Sequence, residues 1–125
     1  MIVAVGVDAI AIERIARLWQ KSGERFLAKV FTEREVAYCA TKVQPAQSLA
    51  ARFAAKEATL KCLGTGWAEG LGFQQIEVLR DAAGAVRLAL TGAAAARAST
   101  LGIRRWHLSL THTDTTATAF VVAEA

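Results

Sequence analysis

Arg52-Phe53-Ala54-Ala55-Lys56-Glu57-Ala58-Thr59-Leu60-Lys61-Cys62-Leu63-Gly64-Thr65-Gly66 sets the architecture of this chain. The run is dense in alanine and leucine and reads as the end of a helix over residues 46 to 63, with Pro45 tolerated near its start. Gly64 is placed to close it in a left-handed cap. Phe53, Glu57 and Lys61 follow one another at i, i+4, so a ring, a carboxylate and an ammonium share one face. A helix that only packs has no use for two charges beside its apolar stripe.

Upstream, residues 2 to 7 alternate small and branched apolar side chains and read as a buried strand that delivers Asp8 at its C-terminal end. Helical periodicity then begins with Ile12, Ile15, Leu18 and Trp19 and stops at Ser22-Gly23. A short helix is expected from Glu24 to Val30. Thr32-Glu33-Arg34-Glu35 has the form of a capping box and opens a helix over 33 to 41.

Downstream, four glycines from Gly64 to Gly72 make a turning loop. Phe73 to Arg80 and Val86 to Leu90 read as strands around a turn at Asp81 to Gly84, and Thr91 is placed to cap an Ala-rich helix over 93 to 100. Arg105 to Thr111 and Thr116 to Val122 form a last hairpin. Helices grouped before most of the strands give an α+β class, with a mainly antiparallel sheet packed against helices in one domain over residues 1–125.

Composition narrows the function. A chain of 125 residues buries roughly two thirds of its unfolded surface, enough for a core without staples. Its 54% hydrophobic content leaves an apolar excess that subunit contacts could use. No apolar run approaches the roughly 18 residues of a membrane span, and the N-terminus has no basic leader, so the protein is expected in the cytoplasm and off the membrane. Cys39 and Cys62 lack metal or disulfide spacing and read as small buried hydrophobes. The net charge of +4 calls for an anionic partner. Dispersed basic residues with few aromatics for base stacking argue against nucleic acid.

Asp8 and Glu57 are the candidate metal pair, since Mg²⁺ takes oxygen ligands and is commonly held by one or two carboxylates plus substrate phosphates. The competing reading makes Asp8 a helix cap and Glu57 the partner of Lys61. The loop Gly64-Thr65-Gly66-Trp67-Ala68-Glu69-Gly70 would let backbone N–H groups approach a phosphate, but it follows a helix C-terminus, so cations must assist; Arg52, Lys56 and Lys61 are the candidates. His112 could donate to a phosphate or ribose. His107 falls on the opposite strand face and reads as structural, and Ser109 lacks the surroundings of a hydrolase nucleophile. Arg14, Arg17, Lys21, Arg25 and Lys29, with Leu18 and Phe26 nearby, form either a solvated face or a docking surface for an acidic helix.

Several of these segments coincide with one family. Gly6-Val7-Asp8 with Ile12-Glu13-Arg14-Ile15, the RFAAKEA run with Lys61 and Gly64-Thr65-Gly66, and Ser109-Leu110-Thr111-His112 together resemble the holo-(acyl carrier protein) synthases, which are 4′-phosphopantetheinyl transferases. The resemblance runs in order from Met1 to Ala125 and implies transfer of the phosphopantetheine arm of coenzyme A to a serine of apo acyl carrier protein, releasing adenosine 3′,5′-bisphosphate in fatty acid biosynthesis. It implies Asp8 and Glu57 as Mg²⁺ ligands. Lys61 would assist the leaving bisphosphate or take the serine proton, with a water on the metal as competitor for the second role. Arg52, Lys61, Gly64, Thr65, Gly66 and His112 would contact coenzyme A, and Arg14, Arg17, Leu18, Lys21, Arg25 and Phe26 would dock the carrier. A homotrimer with coenzyme A between subunits is implied too. Departures are Ala9 and Ala11, Cys62 and Thr116, none at a proposed ligand. The alternative is a non-catalytic module that binds acidic proteins through its basic helix.

Overall fold

The computed structural model describes residues 1–67 and 70–125. In chain order it comprises β1 (Ile2–Ala11), α1 (Ile12–Ser22), α2 (Glu24–Val30), α3 (Glu33–Ala40), α4 (Pro45–Leu63), a 3₁₀ turn over Phe73–Gln75, β2 (Ile76–Arg80), β3 (Val86–Leu90), α5 (Gly92–Thr100), β4 (Arg105–His112) and β5 (Thr116–Glu124). The strands form two antiparallel sheets, ordered β1-β5-β4 and β2-β3. The expected α+β class with antiparallel pairing therefore holds.

Helix α4 is the axis of the domain. Ala50, Ala51, Ala54, Ala55 and Ala58 are buried along it, and Ala117, Ala119, Val121 and Ala123 line the inner face of β5 with no exposed surface. Small side chains on both surfaces let helix and sheet approach closely. Gly6 marks the limit of that approach: a Cβ added there would lie 2.0 Å from the Ala58 carbonyl oxygen. A glycine inside a strand commonly signals such backbone proximity.

Three sequence expectations are corrected. β1 does not end at Asp8 but continues to Ala11, with Asp8 paired to Ala119 and Ala11 to Thr116. The strand persists because β5 offers it an unbroken ladder, and the N-cap of α1 is Ala11, without a side-chain cap. Asp8 is therefore no helix cap, which removes half of the competing reading. The second strand begins at Ile76, since Phe73–Gln75 turn as a 3₁₀ segment. Thr91 occupies the N-cap of α5 without a side-chain bond, and the Gln75 Oε1 accepts from Ala94 N at 3.0 Å in its place.

The capping box of α3 forms as expected, with Thr32 N donating to Glu35 Oε1 at 2.9 Å and Glu35 N to Thr32 Oγ1 at 3.3 Å. Glu35 does more than cap. It is buried and accepts from Lys56 Nζ at 2.8 Å and Val78 N at 2.9 Å. Lys56 Nζ also donates to the Phe73 carbonyl at 3.0 Å and the Ile76 carbonyl at 2.5 Å. Lys56 thus turns away from any phosphate, contrary to expectation, and fastens β2 and the 3₁₀ turn to α3 and α4. Burial pushes its pKa down, and Glu35 opposes that shift.

Phe26 also departs from its expected role. It is 8% exposed and packs edge-on against Phe31 at 6.0 Å, so it is a core residue. Cys39 and Cys62 are buried free thiols, as expected, and burial raises both pKa values. Among the described residues no helix is long and apolar enough to cross a membrane.

Candidate active site

Because Gly6, Asp8 and Ile10 alternate onto one side of β1, the strand aims Asp8 at the helix it packs against. Glu57 comes from the facing surface of α4, and the two carboxylates line a cavity of about 210 Å³ with Ala9, Ile10, Arg14 and Phe53. Both are only partly exposed. Among the described residues no group of three or more His, Cys, Asp or Glu is placed to hold a metal. A cation here would rest on two carboxylates and complete its shell with water or substrate oxygens, a donor set that suits Mg²⁺. The residues present fit the ion.

Lys61 does not pair with Glu57. Its Nζ donates to the Val7 carbonyl at 2.7 Å and lies 3.5 Å from Asp8 Oδ1, while its side chain stays half exposed. The second half of the competing reading is therefore absent as well, and Glu57 is left to another partner: Trp67 Nε1 donates to Glu57 Oε1 at 3.3 Å. Gly64 and Gly66 adopt left-handed φ values of 76° and 65°, and Gly64 N closes α4 onto the Leu60 carbonyl at 3.1 Å. Among the described residues Thr65 Oγ1 donates only to the neighbouring Gly66 carbonyl, at 3.2 Å. Ala68 and Glu69, which belong to the expected phosphate loop, lie outside the described residues.

Arg52 and His112 meet in a different cavity. It measures about 610 Å³ and is also lined by Tyr38, Lys42, Ser48 and Arg80. Arg52 is 2% exposed, stacks over the Tyr38 ring at 4.6 Å, and keeps a buried Nε without a partner among the described residues. The Lys42 ammonium beside it, with Arg80 and Arg52 nearby, holds the Tyr38 hydroxyl below its ordinary pKa despite opposing burial. Sequence reasoning missed Tyr38, Lys42 and Arg80, which lie in separate segments joined only by folding. The two cavities share no lining residue.

Arg14, Arg17, Lys21, Arg25 and Lys29 are all exposed on α1 and α2, and Leu18 is half-buried against the core. Arg14 alone reaches the Asp8–Glu57 cavity. His107 Nε2 lies 2.9 Å from Glu124 Oε1 and serves that pair. Among the described residues Ser109, His112 and Asp114 share no hydrogen bond, and His112 Nδ1 lies 3.1 Å from the Thr113 carbonyl.

Two carboxylates beside a lysine, with a separate cationic cavity, suit phosphorylated ligands, and residues 4–120 match the model of the 4′-phosphopantetheinyl transferase superfamily. A holo-[acyl-carrier-protein] synthase of Nitratidesulfovibrio vulgaris is 46% identical over 125 residues, covering 100% of both chains. The crystal structure of the synthase from Neisseria meningitidis has a TM-score of 0.89 at 36% identity, with 100% of each chain covered. The Bacillus anthracis synthase, in complex with CoA (3′,5′-ADP), has a TM-score of 0.82 at 32% identity, covering 100% of this chain and 98% of that one. The chain belongs to this superfamily and, within it, is a phosphopantetheinyl transferase of the holo-(acyl carrier protein) synthase family.

Proposed function

We propose that this enzyme, acting as a single domain over residues 1–125, transfers 4′-phosphopantetheine from coenzyme A to a serine of apo acyl carrier protein in a Mg²⁺-dependent reaction. The convergence of Asp8 and Glu57 on one cavity carries the proposal. In the reaction the serine hydroxyl gives its proton to water, its oxygen bonds to the phosphorus bearing the pantetheine, the P–O–P bond breaks, and adenosine 3′,5′-bisphosphate leaves. Mg²⁺ held by Asp8 and Glu57 would neutralise charge on the pyrophosphate. Lys61, an ammonium tethered to the Val7 carbonyl beside Asp8, is placed to face a phosphate oxygen, which favours its charge-stabilising role over that of a base.

Arg52, Lys42 and His112 suit the bisphosphate end of coenzyme A, because an anion entering their cavity meets guanidinium, ammonium and imidazole together. Gly64, Thr65 and Gly66 would border the pyrophosphate. We assign coenzyme A to a cleft between neighbouring subunits of a homotrimer, where the cationic cavity of one would face the carboxylate cavity of the next. Val5, Val7 and Phe120 support that assembly: they stand 58%, 52% and 46% exposed on the outer face of the β1-β5-β4 sheet, where a neighbour would cover them. Arg14, Arg17, Lys21 and Arg25, with Leu18, would dock the acidic carrier, and Arg14 would lead from that surface to the reacting serine. Cytoplasmic fatty acid biosynthesis is the corresponding setting.

Incubation with coenzyme A, Mg²⁺ and an apo carrier should add one phosphopantetheine to the carrier's intact mass. No addition across several bacterial carriers would sink the proposal.

A further inference from the structure

Glu57 is a long side chain on a regular helix, and among the described residues it accepts one hydrogen bond, from the Trp67 indole at 3.3 Å. The indole is not free to wander, although it follows the left-handed Gly66. Trp67 packs on Phe73 with ring centroids 4.0 Å apart, and Phe73 stacks on Phe53 at 5.6 Å and 27°. Phe53 stands one turn before Glu57 on the same helix face. The backbone of Phe73 is in turn pinned, because its carbonyl accepts from the buried Lys56. A continuous contact path thus runs from a fully buried ion pair to one oxygen of the candidate metal ligand.

We propose that Trp67 is a positioning residue for the metal: its N–H holds Glu57 Oε1 and leaves Oε2 to face the cavity shared with Asp8. This rests on the reading of Glu57 as a Mg²⁺ ligand. A tryptophan suits the task where phenylalanine would not, because the ring stack fixes the loop while the indole N–H alone supplies a donor. Groups that orient a metal ligand in this way typically change metal affinity ten- to a hundredfold when removed.

The test is Mn²⁺ binding, counted by electron paramagnetic resonance at saturating coenzyme A, in wild type, Glu57→Gln and Trp67→Phe. The last variant keeps the stack on Phe73 and removes only the donor, and an unchanged melting curve checks that it folds. Glu57→Gln should lose the bound ion. Trp67→Phe should bind it roughly ten- to a hundredfold more weakly, with the Mg²⁺ concentration for half-maximal turnover rising in step and kcat at saturating Mg²⁺ little changed. Binding within twofold of wild type in Trp67→Phe overturns the positioning role alone. Failure of the wild type to bind, or full binding by Glu57→Gln, overturns the metal reading and the positioning role with it.

Discussion

Replacing Gly6 by alanine probes how the fold makes the site. The added Cβ would sit 2.0 Å from the Ala58 carbonyl oxygen, 2.9 Å from its carbon and 3.2 Å from Cys62 Sγ. Real Cβ contacts essentially never fall under 3.0 Å, so β1 and α4 must separate by about 1.0 Å. No rotamer relieves this, because the obstacle is helix backbone. The cost should be at the upper end of the roughly 1–3 kcal/mol typical of overpacked cores. Asp8, two residues along the same face, moves away from Glu57 with the strand, and so does the Val7 carbonyl that holds Lys61. A misplacement of about 1 Å at reacting groups can lower turnover about a hundredfold. Urea unfolding gives the stability change; carrier loading, measured on folded variant at saturating Mg²⁺ and coenzyme A, gives the rate. A variant with wild-type midpoint and rate would refute the close-packing argument. A destabilised variant with wild-type turnover would refute the claim that Gly6 sets the spacing of the carboxylates.

Lys56→Met leaves Glu35 buried without its cation and should cost about 3–5 kcal/mol in urea unfolding, while the double variant Lys56→Met/Glu35→Leu should recover much of that loss. Glu77 is held below its ordinary pKa: burial alone would raise it, but hydrogen bonds from Thr32 and Arg34 outweigh burial. Its stabilisation is therefore present above the ordinary glutamate pKa of about 4.3 and is lost as pH falls through the depressed folded value, so Glu77→Gln should flatten the acid limb of the melting-temperature profile. Phe120→Asp places a charge opposite Val7 on the outer sheet face; gel filtration with light scattering should report monomers, and an intact trimer would exclude that face as the interface.

Local signals carried most of the architecture. The capping box at Thr32, Pro45 near the start of α4 and Gly64 at its end each act within one or two turns, so the helices they bound are legible. Asp8 and Glu57 were legible as a pair because each sits in its own recognisable segment. What sequence hid was side-chain destination. Lys56 and Lys61 are both lysines of one helix, yet 100° per residue sends one into the core against Glu35 and the other out to Asp8. Phe26 looked like an anchor beside the basic stripe, but the turn at Gly23 rotates α2 so that its ring meets Phe31. The extension of β1 past Asp8 depended on pairing with β5, more than a hundred residues away. Trp67 had no signal beyond its residue type, since its bond to Glu57 spans ten residues and exists only in the folded chain.

Asp8 and Glu57 together should bind coenzyme A through a metal. Calorimetric titration of coenzyme A into wild type, Asp8→Ala and Glu57→Ala, each with Mg²⁺ and with chelator, measures this without turnover. Binding by the wild type should depend on Mg²⁺, and both variants should lose that dependence while keeping their fold. Coenzyme A affinity that is indifferent to Mg²⁺ and unchanged in both variants would contradict the account.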